Sequence, residues 1–146
     1  MSNKQNKRSR DYSRKEKTRA ERVTPQRLLR VLFTKMDQDQ SDCFWEWIKE
    51  IKGQQTLYDN MNARLKHVTS KSINELVQEK ILCDYGERPS KCGMKKPDFI
   101  TNNEDKSWAR INIEGSAKLI GILDKQNSEF KVVFLDKDHR FWEQKK

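Results

Sequence analysis

The sequence predicts an α+β fold in which an N-terminal strand and two or three helices pack on a C-terminal three-stranded antiparallel sheet. Two observations support this fold class. The C-terminal part of the chain contains three short apolar runs separated by turn residues, a pattern typical of strands joined by hairpins. The middle of the chain contains apolar residues at helical spacing behind residues that cap helices. We therefore expect helices to cover one face of the sheet.

The first 23 residues form a basic segment that differs in composition from the rest of the chain. Residues 1–22 contain nine Lys or Arg and three acidic residues, so they hold +6 of the formal net charge of +9. Because this segment offers so little apolar surface, we predict a flexible tail at residues 1–23 and a single folded domain at residues 24–146. A tail of this charge is attracted to phosphate backbones, and Arg8, Arg10 and Arg14 are its predicted RNA contacts.

Composition also limits the cellular locations that are compatible with the sequence. No apolar run approaches the length that spans a bilayer, and no hydrophobic region follows the basic start. The three cysteines, Cys43, Cys83 and Cys92, are an odd number without a closely spaced pair, which favours a reducing compartment over a disulfide framework. Their spacing to the two histidines matches no standard zinc site. We therefore predict a cytoplasmic protein with no membrane segment and no cofactor.

The first predicted element follows Thr24 and Pro25, which together form a helix-start signal. Beyond them, side chains alternate between Leu28 and Met36 in a β-branched and aromatic context. We predict at most one turn of helix, followed by a strand over about residues 29–36. A helix throughout residues 25–36 is the alternative.

The clearest helix signal is a set of apolar residues at positions i, i+3, i+4 and i+7, which Gly53 terminates. These residues are Phe44, Trp47, Ile48 and Ile51. Since an amphipathic helix must bury its apolar stripe, we expect this stripe to pack on the sheet, with Trp47 and Ile48 in the core. Trp45 lies off the stripe and is a candidate contact surface.

Two further helices are marked by their caps. Thr56 precedes a segment that is apolar on one side and has cations near its end, where they suit the helix dipole. Ser72 and Glu75 then form a capping-box pattern that leads into a short helix. His67 is most simply a surface residue at the end of the first of these helices.

Residues 83–106 are predicted to be irregular, because glycine and proline interrupt them repeatedly. A loop of this length in a small domain is usually functional or disordered. Lys91, Lys95 and Lys96 form a second basic group in the loop and are predicted RNA contacts. The loop leads into the strand of Trp108 and Arg110, so we expect it to form one wall of a groove.

The three C-terminal strands follow from the alternation of side chains on a pleated backbone. In the first strand one face is predicted to carry Ala109, Ile111 and Ile113, and the other Trp108, Arg110 and Asn112. Turn residues at 114–116 and 124–128 separate this strand from the second and the second from the third. The third strand, residues 130–135, is apolar on both faces in its second half, so we predict it to be the central strand of the three.

Cations, an imidazole and aromatic rings collect on the other face of this sheet and at the exit of its last strand. They are Arg110, Lys118, His139, Arg140, Trp108 and Trp142. No Gly-rich phosphate loop and no nucleophile motif accompany them. These side chains are the kinds needed to bind RNA, to stack a base and to cleave a phosphodiester without metal.

Two segments of the sequence resemble a known family. They are RINIEGSAKLIGIL, residues 110–123, and VVFLDKDHRFW, residues 132–142. They resemble the arginine-bearing hairpin and the terminal histidine and aromatic residue of the RelE/YoeB-like ribonuclease toxins of bacterial toxin–antitoxin systems, and also the endings of small bacterial and phage proteins. The resemblance implies a RelE-like fold, a cognate antitoxin as partner, and metal-independent cleavage of messenger RNA. In that family cleavage often takes place on the ribosome, with the ribose 2′-hydroxyl as nucleophile.

The resemblance also implies roles for individual residues. Lys118 stands where the family has a phosphate-binding arginine, and Arg110 stands where an earlier strand arginine lies. His139 takes the place of the terminal histidine that acts as acid or base, and Trp142 that of the aromatic residue. Two departures from the pattern are evident. Lysine is a point charge without the bidentate fork of arginine, and the only candidates for the family's carboxylate base are Glu114 and Glu87.

Two other functions are compatible with the same residues. The first is a non-catalytic protein that binds RNA or the ribosome. The second is a protein-interaction module, such as a toxin-like subunit of a phage or defence system.

Overall fold

A computed structural model describes residues 27–142 of the chain. The predicted tail at residues 1–23, with Arg8, Arg10 and Arg14, lies outside the described residues. None of the helices between residues 27 and 142 is long and apolar enough to cross a membrane.

The described residues form an α+β structure with three helices and one mixed five-stranded sheet. The strands are β1 (Arg30–Leu32), β2 (Leu82–Gly86), β3 (Trp108–Glu114), β4 (Ala117–Asp124) and β5 (Glu129–Asp136). Their order across the sheet is β1-β5-β4-β3-β2. β1 runs parallel to β5, and the other neighbouring strands are antiparallel.

The sheet differs from the prediction in the number of strands and in their order. β2 lies in the segment predicted to be irregular, where Asp84 and Gly86 interrupt the strand pattern and coincide with a β-bulge. β4, not β5, is the central strand, and seven of its eight residues are buried. Residues 119–123 of this strand are apolar without interruption, which is the pattern of a strand buried on both faces, so the choice of β5 as the central strand was wrong.

β1 is a strand, as predicted, but it is shorter than the predicted residues 29–36. Its three residues pair in parallel with the start of β5. After β1 the chain turns and runs beside β5, where the Asp37 N–H donates to the Val133 carbonyl at 2.7 Å. The later residues of the predicted strand are therefore replaced by a turn and an irregular segment.

The helices are α1 (Phe44–Ile48), α2 (Leu57–Val68) and α3 (Ile73–Gln78). The predicted caps are confirmed. The Thr56 side chain accepts from the Asp59 N–H at the start of α2. Ser72 and Glu75 form the complete capping box at the start of α3. His67 lies at the end of α2, where its ring is 2.8 Å from the Glu79 carboxylate.

The prediction for α1 is wrong in part. The helix has only five residues, because Lys49 adopts an extended conformation and ends it. A single turn offers one inward position, which Trp47 fills with no exposed surface. Ile48 is 43% exposed and Ile51 is 59% exposed, so neither belongs to the core. Trp45 is 65% exposed and remains available as a contact surface.

The helices cover one face of the sheet and close the first hydrophobic core. Met61 and Val68 of α2 and Leu76 of α3 pack there on strand residues. Ala109, Ile111 and Ile113 of β3 all belong to this core, as their alternation predicts. Burial of these side chains is the main stabilising term for the sheet–helix arrangement.

The opposite face is covered as well, by part of the segment between β2 and β3 and by the end of the described chain. Met94 and Ile100 from that segment pack with Trp108, Phe134 and Phe141 in a second hydrophobic core. The predicted open RNA-binding face is therefore closed over most of its area. At the end of this face, near the start of β4 and the exit of β5, Lys118 and Asp136 lie opposite each other.

A β-bulge in β5 determines which residues reach that end. Ile120 pairs with Phe134 while Gly121 pairs with Val132, so Val133 is an extra residue in the strand. A Cβ atom on Gly121 would lie 2.1 Å from the Lys131 carbonyl oxygen, so only glycine fits beside the bulge. The extra residue reverses the alternation of β5 and brings Phe134 and Asp136 to the second face.

Candidate functional site

The candidate site lies at the end of the second face, where β3, β4 and β5 place charged residues side by side. Lys118 of β4 is directly opposite Asp136 of β5 and, on its other side, opposite Asn112 of β3. Arg110 is two residues before Asn112 in β3, and therefore diagonal to Lys118 on the same face. The cross-strand register thus brings the predicted Arg110 and Lys118 together and adds a carboxylate.

Asp136 is fully buried and builds the turn that follows β5. Its Oδ1 accepts from the Arg140 N–H and its Oδ2 accepts from the Phe141 N–H, both at 2.8 Å. The turn between these residues carries His139. The Asp136 side chain thus stabilises a turn from inside the candidate site.

Contacts from outside hold the same turn in place. Arg140 donates to the Gln40 carbonyl at 2.8 Å and pairs with the Asp42 carboxylate at 3.2 Å. Its own carbonyl accepts from the Gly93 N–H at 3.0 Å. A Cβ atom on Gly93 would lie 2.2 Å from that carbonyl oxygen, so the close approach requires glycine. Arg140, predicted to bind RNA, is thus engaged mainly in fixing the turn, although 42% of its side chain is exposed.

His139 has a backbone φ of +61°, in the left-handed region that histidine adopts more readily than most residues. Its side chain makes no hydrogen bond to any residue between 27 and 142. Burial lowers its pKa below the ordinary value of 6.5, and the charges of Arg110 and Lys118 lower it further, while Asp136 opposes the shift. The ring is therefore within electrostatic reach of the three strand residues and mainly neutral at pH 7.

Lys118 is almost fully buried, with 9% of its surface exposed. Its ammonium donates to the Gly115 carbonyl at 2.9 Å. Burial lowers the pKa of Lys118, as does the neighbouring Arg110 charge, and Asp136 acts in the opposite direction. No carboxylate in the described part of the chain lies within ion-pair distance of this ammonium. Its charge is therefore only partly compensated inside the protein.

Arg110 is held by Tyr85, a residue that the sequence reasoning missed. The Arg110 Nη1 donates to the phenolic oxygen at 3.0 Å, and the guanidinium carbon lies 5.4 Å from the ring centroid. Burial raises the pKa of Tyr85 to about 12, against the influence of Arg110, so the phenol is neutral. The Arg110 Nε is buried and has no partner among the described residues. No sequence signal identified Tyr85, because its strand was not predicted.

Trp142 stacks on Tyr85, the residue that also holds Arg110. Its ring centroid lies 4.8 Å from that of Tyr85, with 16° between the planes. Tyr85 also stacks on Phe141, whose ring packs against Trp108 in the second core. Trp142 is 40% exposed, so the outer end of this aromatic series reaches the surface.

Trp108 is not a surface residue. It is fully buried, its indole N–H donates to the Asp105 carboxylate at 2.9 Å, and its ring stacks on Phe134. The prediction that Trp108 contacts RNA is therefore wrong for this structure, because no part of the ring is accessible. Trp108 packs against Phe141, which in turn stacks on Tyr85, so Trp108 supports the stacked rings from inside the second core.

The lysines of the predicted basic loop form no hydrogen bond or ion pair with this cluster. Lys91 and Lys95 are exposed, and the main chain of Lys95 is bound on both sides by the Gln40 side chain. Lys96 is half-buried and helps to lower the pKa of Asp105. Within the described residues the three lysines lie on the covering segment of the second core, and this segment meets the turn of His139 where the Gly93 N–H donates to the Arg140 carbonyl.

The two predicted carboxylate bases are not brought to His139 either. Glu114 is hydrogen-bonded to Asn60 of α2. Glu87 is exposed and lies at the start of the segment that follows β2. The carboxylate that the structure does place beside His139 and Lys118 is that of Asp136, and both of its oxygens already accept backbone hydrogen bonds.

An open groove of about 480 Å³ lies elsewhere, between the end of β2 and the short 3₁₀ helix at Glu104–Lys106. None of the predicted site residues lines it. Its charges pair with one another or with their neighbours, as in the Lys125–Asp84 and Lys35–Glu104 ion pairs. We therefore assign the site to the cluster around His139 and not to this groove.

Comparisons with family models, with curated proteins and with solved structures give no significant match to this chain. The resemblance to RelE/YoeB-like toxins thus stays a prediction from the sequence.

Proposed function

We propose that the protein is a metal-independent endoribonuclease that cleaves messenger RNA, with its site at Arg110, Lys118 and His139. The observation that carries this proposal is the convergence of the three side chains at one end of the sheet, beside the Tyr85–Trp142 stack. Two cations can bind phosphate oxygens, a neutral imidazole can accept a proton, and an accessible aromatic ring can stack on a base. These are the interactions that binding and cleavage of RNA require.

In this proposal His139 acts as the general base. Its lowered pKa leaves the ring neutral at pH 7, and its ring nitrogens are unoccupied by the described residues. It takes the proton of the ribose 2′-hydroxyl, and the 2′-oxygen forms a bond to the adjacent phosphorus. The bond from phosphorus to the 5′-oxygen breaks, and that oxygen takes up a proton. The products are a 2′,3′-cyclic phosphate and a 5′-hydroxyl end.

Lys118 and Arg110 stabilise the charge that develops on the phosphate oxygens. Both cations lack a carboxylate within ion-pair distance in the described residues, so an incoming phosphate is their natural counter-ion. Loss of one such pre-oriented donor costs about 10²–10³-fold in rate in comparable sites. Tyr85 occupies only Nη1, so the Arg110 Nη2 atom has no hydrogen-bond partner among the described residues and is the atom that we propose meets a phosphate.

Trp142 is proposed to stack a base next to the cleaved phosphodiester. Stacking of a base on an aromatic side chain contributes roughly 1–3 kcal/mol and tolerates different sequences. The ring is already supported on its inner side by Tyr85 and is partly exposed. Arg140 and the loop residues Lys91, Lys95 and Lys96 then add phosphate contacts outside the reacting centre.

The resemblance to RelE/YoeB-like toxins extends the proposal. It implies a RelE-like fold, a cytoplasmic location, a cognate antitoxin as partner, and messenger RNA on the ribosome as substrate. What supports this extension is the presence of the hairpin cation and the terminal histidine in one cluster.

A second candidate function, RNA binding without cleavage, is favoured by one observation. Lys118 is almost fully buried and donates one of its three N–H groups to the Gly115 carbonyl, so little of its ammonium is accessible to a phosphate. In a binding protein the same charge would instead contribute only long-range attraction.

Expression in bacteria, with growth curves and primer-extension mapping of transcript ends, tests the proposal. His139→Asn is the variant to use, since asparagine accepts the positive φ that alanine does not. His67→Asn removes the other histidine of the chain and is the matched control. Wild type and His67→Asn should arrest growth and produce new transcript ends, and His139→Asn should do neither. Binding without cleavage by wild type would support the second candidate.

A further inference from the structure

Asp136 is the one buried carboxylate in the described part of the chain, and the roles proposed above do not include it. It has no exposed surface and lies opposite the nearly buried Lys118. A carboxylate is costly to bury unless it is paired and hydrogen-bonded. Its surroundings should therefore explain why an acidic residue occupies this position.

The hydrogen bonds of Asp136 define the conformation of the turn after β5. One oxygen accepts from the Arg140 N–H and the other from the Phe141 N–H. These two donors belong to the two consecutive peptide units that follow His139, whose φ of +61° requires external restraint. Asp136 therefore fixes the backbone directly on the C-terminal side of the proposed general base.

The charge of Asp136 also balances the site. The charged groups around His139 are Arg110, Lys118 and Asp136 on the strands, Lys137, Asp138 and Arg140 on its own turn, and Asp42, which pairs with Arg140. Among the strand residues two are cations and one is an anion. Without the anion, the repulsion between His139 and the two cations would be unopposed on this side.

We propose that Asp136 is the positioning residue of the site: its buried carboxylate holds the turn that carries His139 beside Lys118 and Arg110. The inference rests on the proposed function for its consequence in catalysis. The positioning of His139 by Asp136 does not depend on that function, because the position and environment of His139 can be measured without any RNA.

The β-bulge of β5 supports this assignment. Without the extra residue Val133, strict alternation from Phe130 would direct Asp136 to the helix-covered core. The bulge turns Asp136 to the second face, where it meets Lys118. Gly121, next to which the bulge forms, is thus part of the arrangement that delivers the carboxylate.

The test uses the full chain and the titration of its two histidines by NMR, with the signal of His67 identified through His67→Gln. Asp136→Asn keeps the size of the side chain and one accepting oxygen but removes the charge. The pKa of His139 should then fall further, because Arg110 and Lys118 remain while Asp136 no longer opposes them. Asp136→Ala removes both hydrogen bonds and releases the turn, so the pKa of His139 should rise towards its ordinary value.

Asp138→Asn is the matched control, since it makes the same charge change on the same turn at an exposed residue. It should leave the His139 titration nearly unchanged because of solvent screening. Thermal melts report whether each variant is folded, and the isosteric Asp136→Asn carries the test if Asp136→Ala is not. Unchanged His139 titration in Asp136→Asn, or an equal shift in Asp138→Asn, would overturn the inference.

Cleavage assays on the same variants give the second measurement. Displacement of a catalytic group by about 1 Å can cost on the order of 10²-fold in rate, so kcat should fall by about that factor in Asp136→Ala, which releases the turn, while KM changes little. If wild type does not cleave RNA, the proposed function fails, but the titration still decides the role of Asp136. If wild type cleaves and a folded Asp136→Ala cleaves equally well, the positioning role is wrong while the ribonuclease stands.

Discussion

Arg110 and Tyr85 form a cross-strand pair in which the guanidinium donates to the phenolic oxygen at 3.0 Å and lies 5.4 Å from the centroid of the same ring. The pair joins β3 to the edge strand β2. The same ring stacks on Trp142. The phosphate-binding cation and the base-stacking ring of the proposed site are therefore oriented by one residue, Tyr85.

Tyr85→Phe should destabilise the protein and weaken RNA binding. The substitution keeps the ring but removes the only described hydrogen-bond partner of Arg110. A buried donor left without a partner costs roughly 1–3 kcal/mol, which denaturant unfolding measures. Tyr58→Phe, at an exposed position of α2, is the control and should change the unfolding free energy by less than about 0.5 kcal/mol. Equal losses in the two variants would contradict the role given to Tyr85.

Trp47 and Ile48 should differ strongly in their contributions to stability, although they are neighbours on α1. Trp47→Ala empties a fully buried position and should cost about 3–5 kcal/mol. Ile48 is 43% exposed, so Ile48→Ala should cost about 1 kcal/mol or less. Trp47→Phe should be milder than Trp47→Ala, because the phenyl ring leaves a smaller cavity, while both substitutions remove an indole N–H that is buried without a partner among the described residues. Thermal melts of the three variants decide the matter, and similar melting temperatures for the two alanine variants would contradict it.

The pH dependence of cleavage should report the environment of His139. A general base must be neutral, so kcat/KM should rise with pH through a pKa below 6.5 and then level off. Lys118→Met removes one of the cations that lower this pKa, so the acidic limb of the residual activity should move to higher pH.

Lys125→Gln is the control for that shift, because Lys125 is exposed and pairs with Asp84 at the other end of the sheet. It should leave the limb in place. An acidic limb above 6.5 in the wild type, or one that Lys118→Met does not move, would exclude His139 as the base whose environment the structure shows.

Deletion of residues 1–22 should reduce the salt dependence of RNA binding. These residues carry a formal charge of +6, and each neutralised phosphate contributes roughly 0.7 to the slope of log affinity against log salt on single strands. The slope should therefore flatten by several units, while Lys95→Gln should change it by less than one unit. Binding titrations at several salt concentrations measure the slopes. An unchanged slope after the deletion would remove the tail from the interface.

Much of the sheet follows from the sequence because its alternation is local. Ala109, Ile111 and Ile113 face the helices, and Ile120 and Ile122 face the second core, as period-two patterns predict. The caps of α2 and α3 follow for the same reason, since each depends on a few neighbouring residues.

The features that the sequence does not reveal depend on long-range pairing. β2 is specified by its register against β3, and the bulge in β5 is specified by its register against β4. The bulge in β5 brings Asp136 to the candidate site, and the pairing of β2 with β3 brings Tyr85 there. The pattern therefore predicted the cations and the imidazole of the site, but not the two residues that orient them.

The chemistry of the cleaved RNA ends distinguishes metal-independent cleavage by His139 from other routes. Wild-type protein is incubated with a messenger RNA, either without ribosomes in the presence of EDTA or with translating ribosomes in a buffer that contains Mg²⁺, and the new RNA termini are identified. We expect 2′,3′-cyclic phosphate or 3′-phosphate termini with matching 5′-hydroxyl ends, which are absent with His139→Asn and present with His67→Asn. New 3′-hydroxyl and 5′-phosphate ends, or no new ends even with ribosomes, would contradict this expectation.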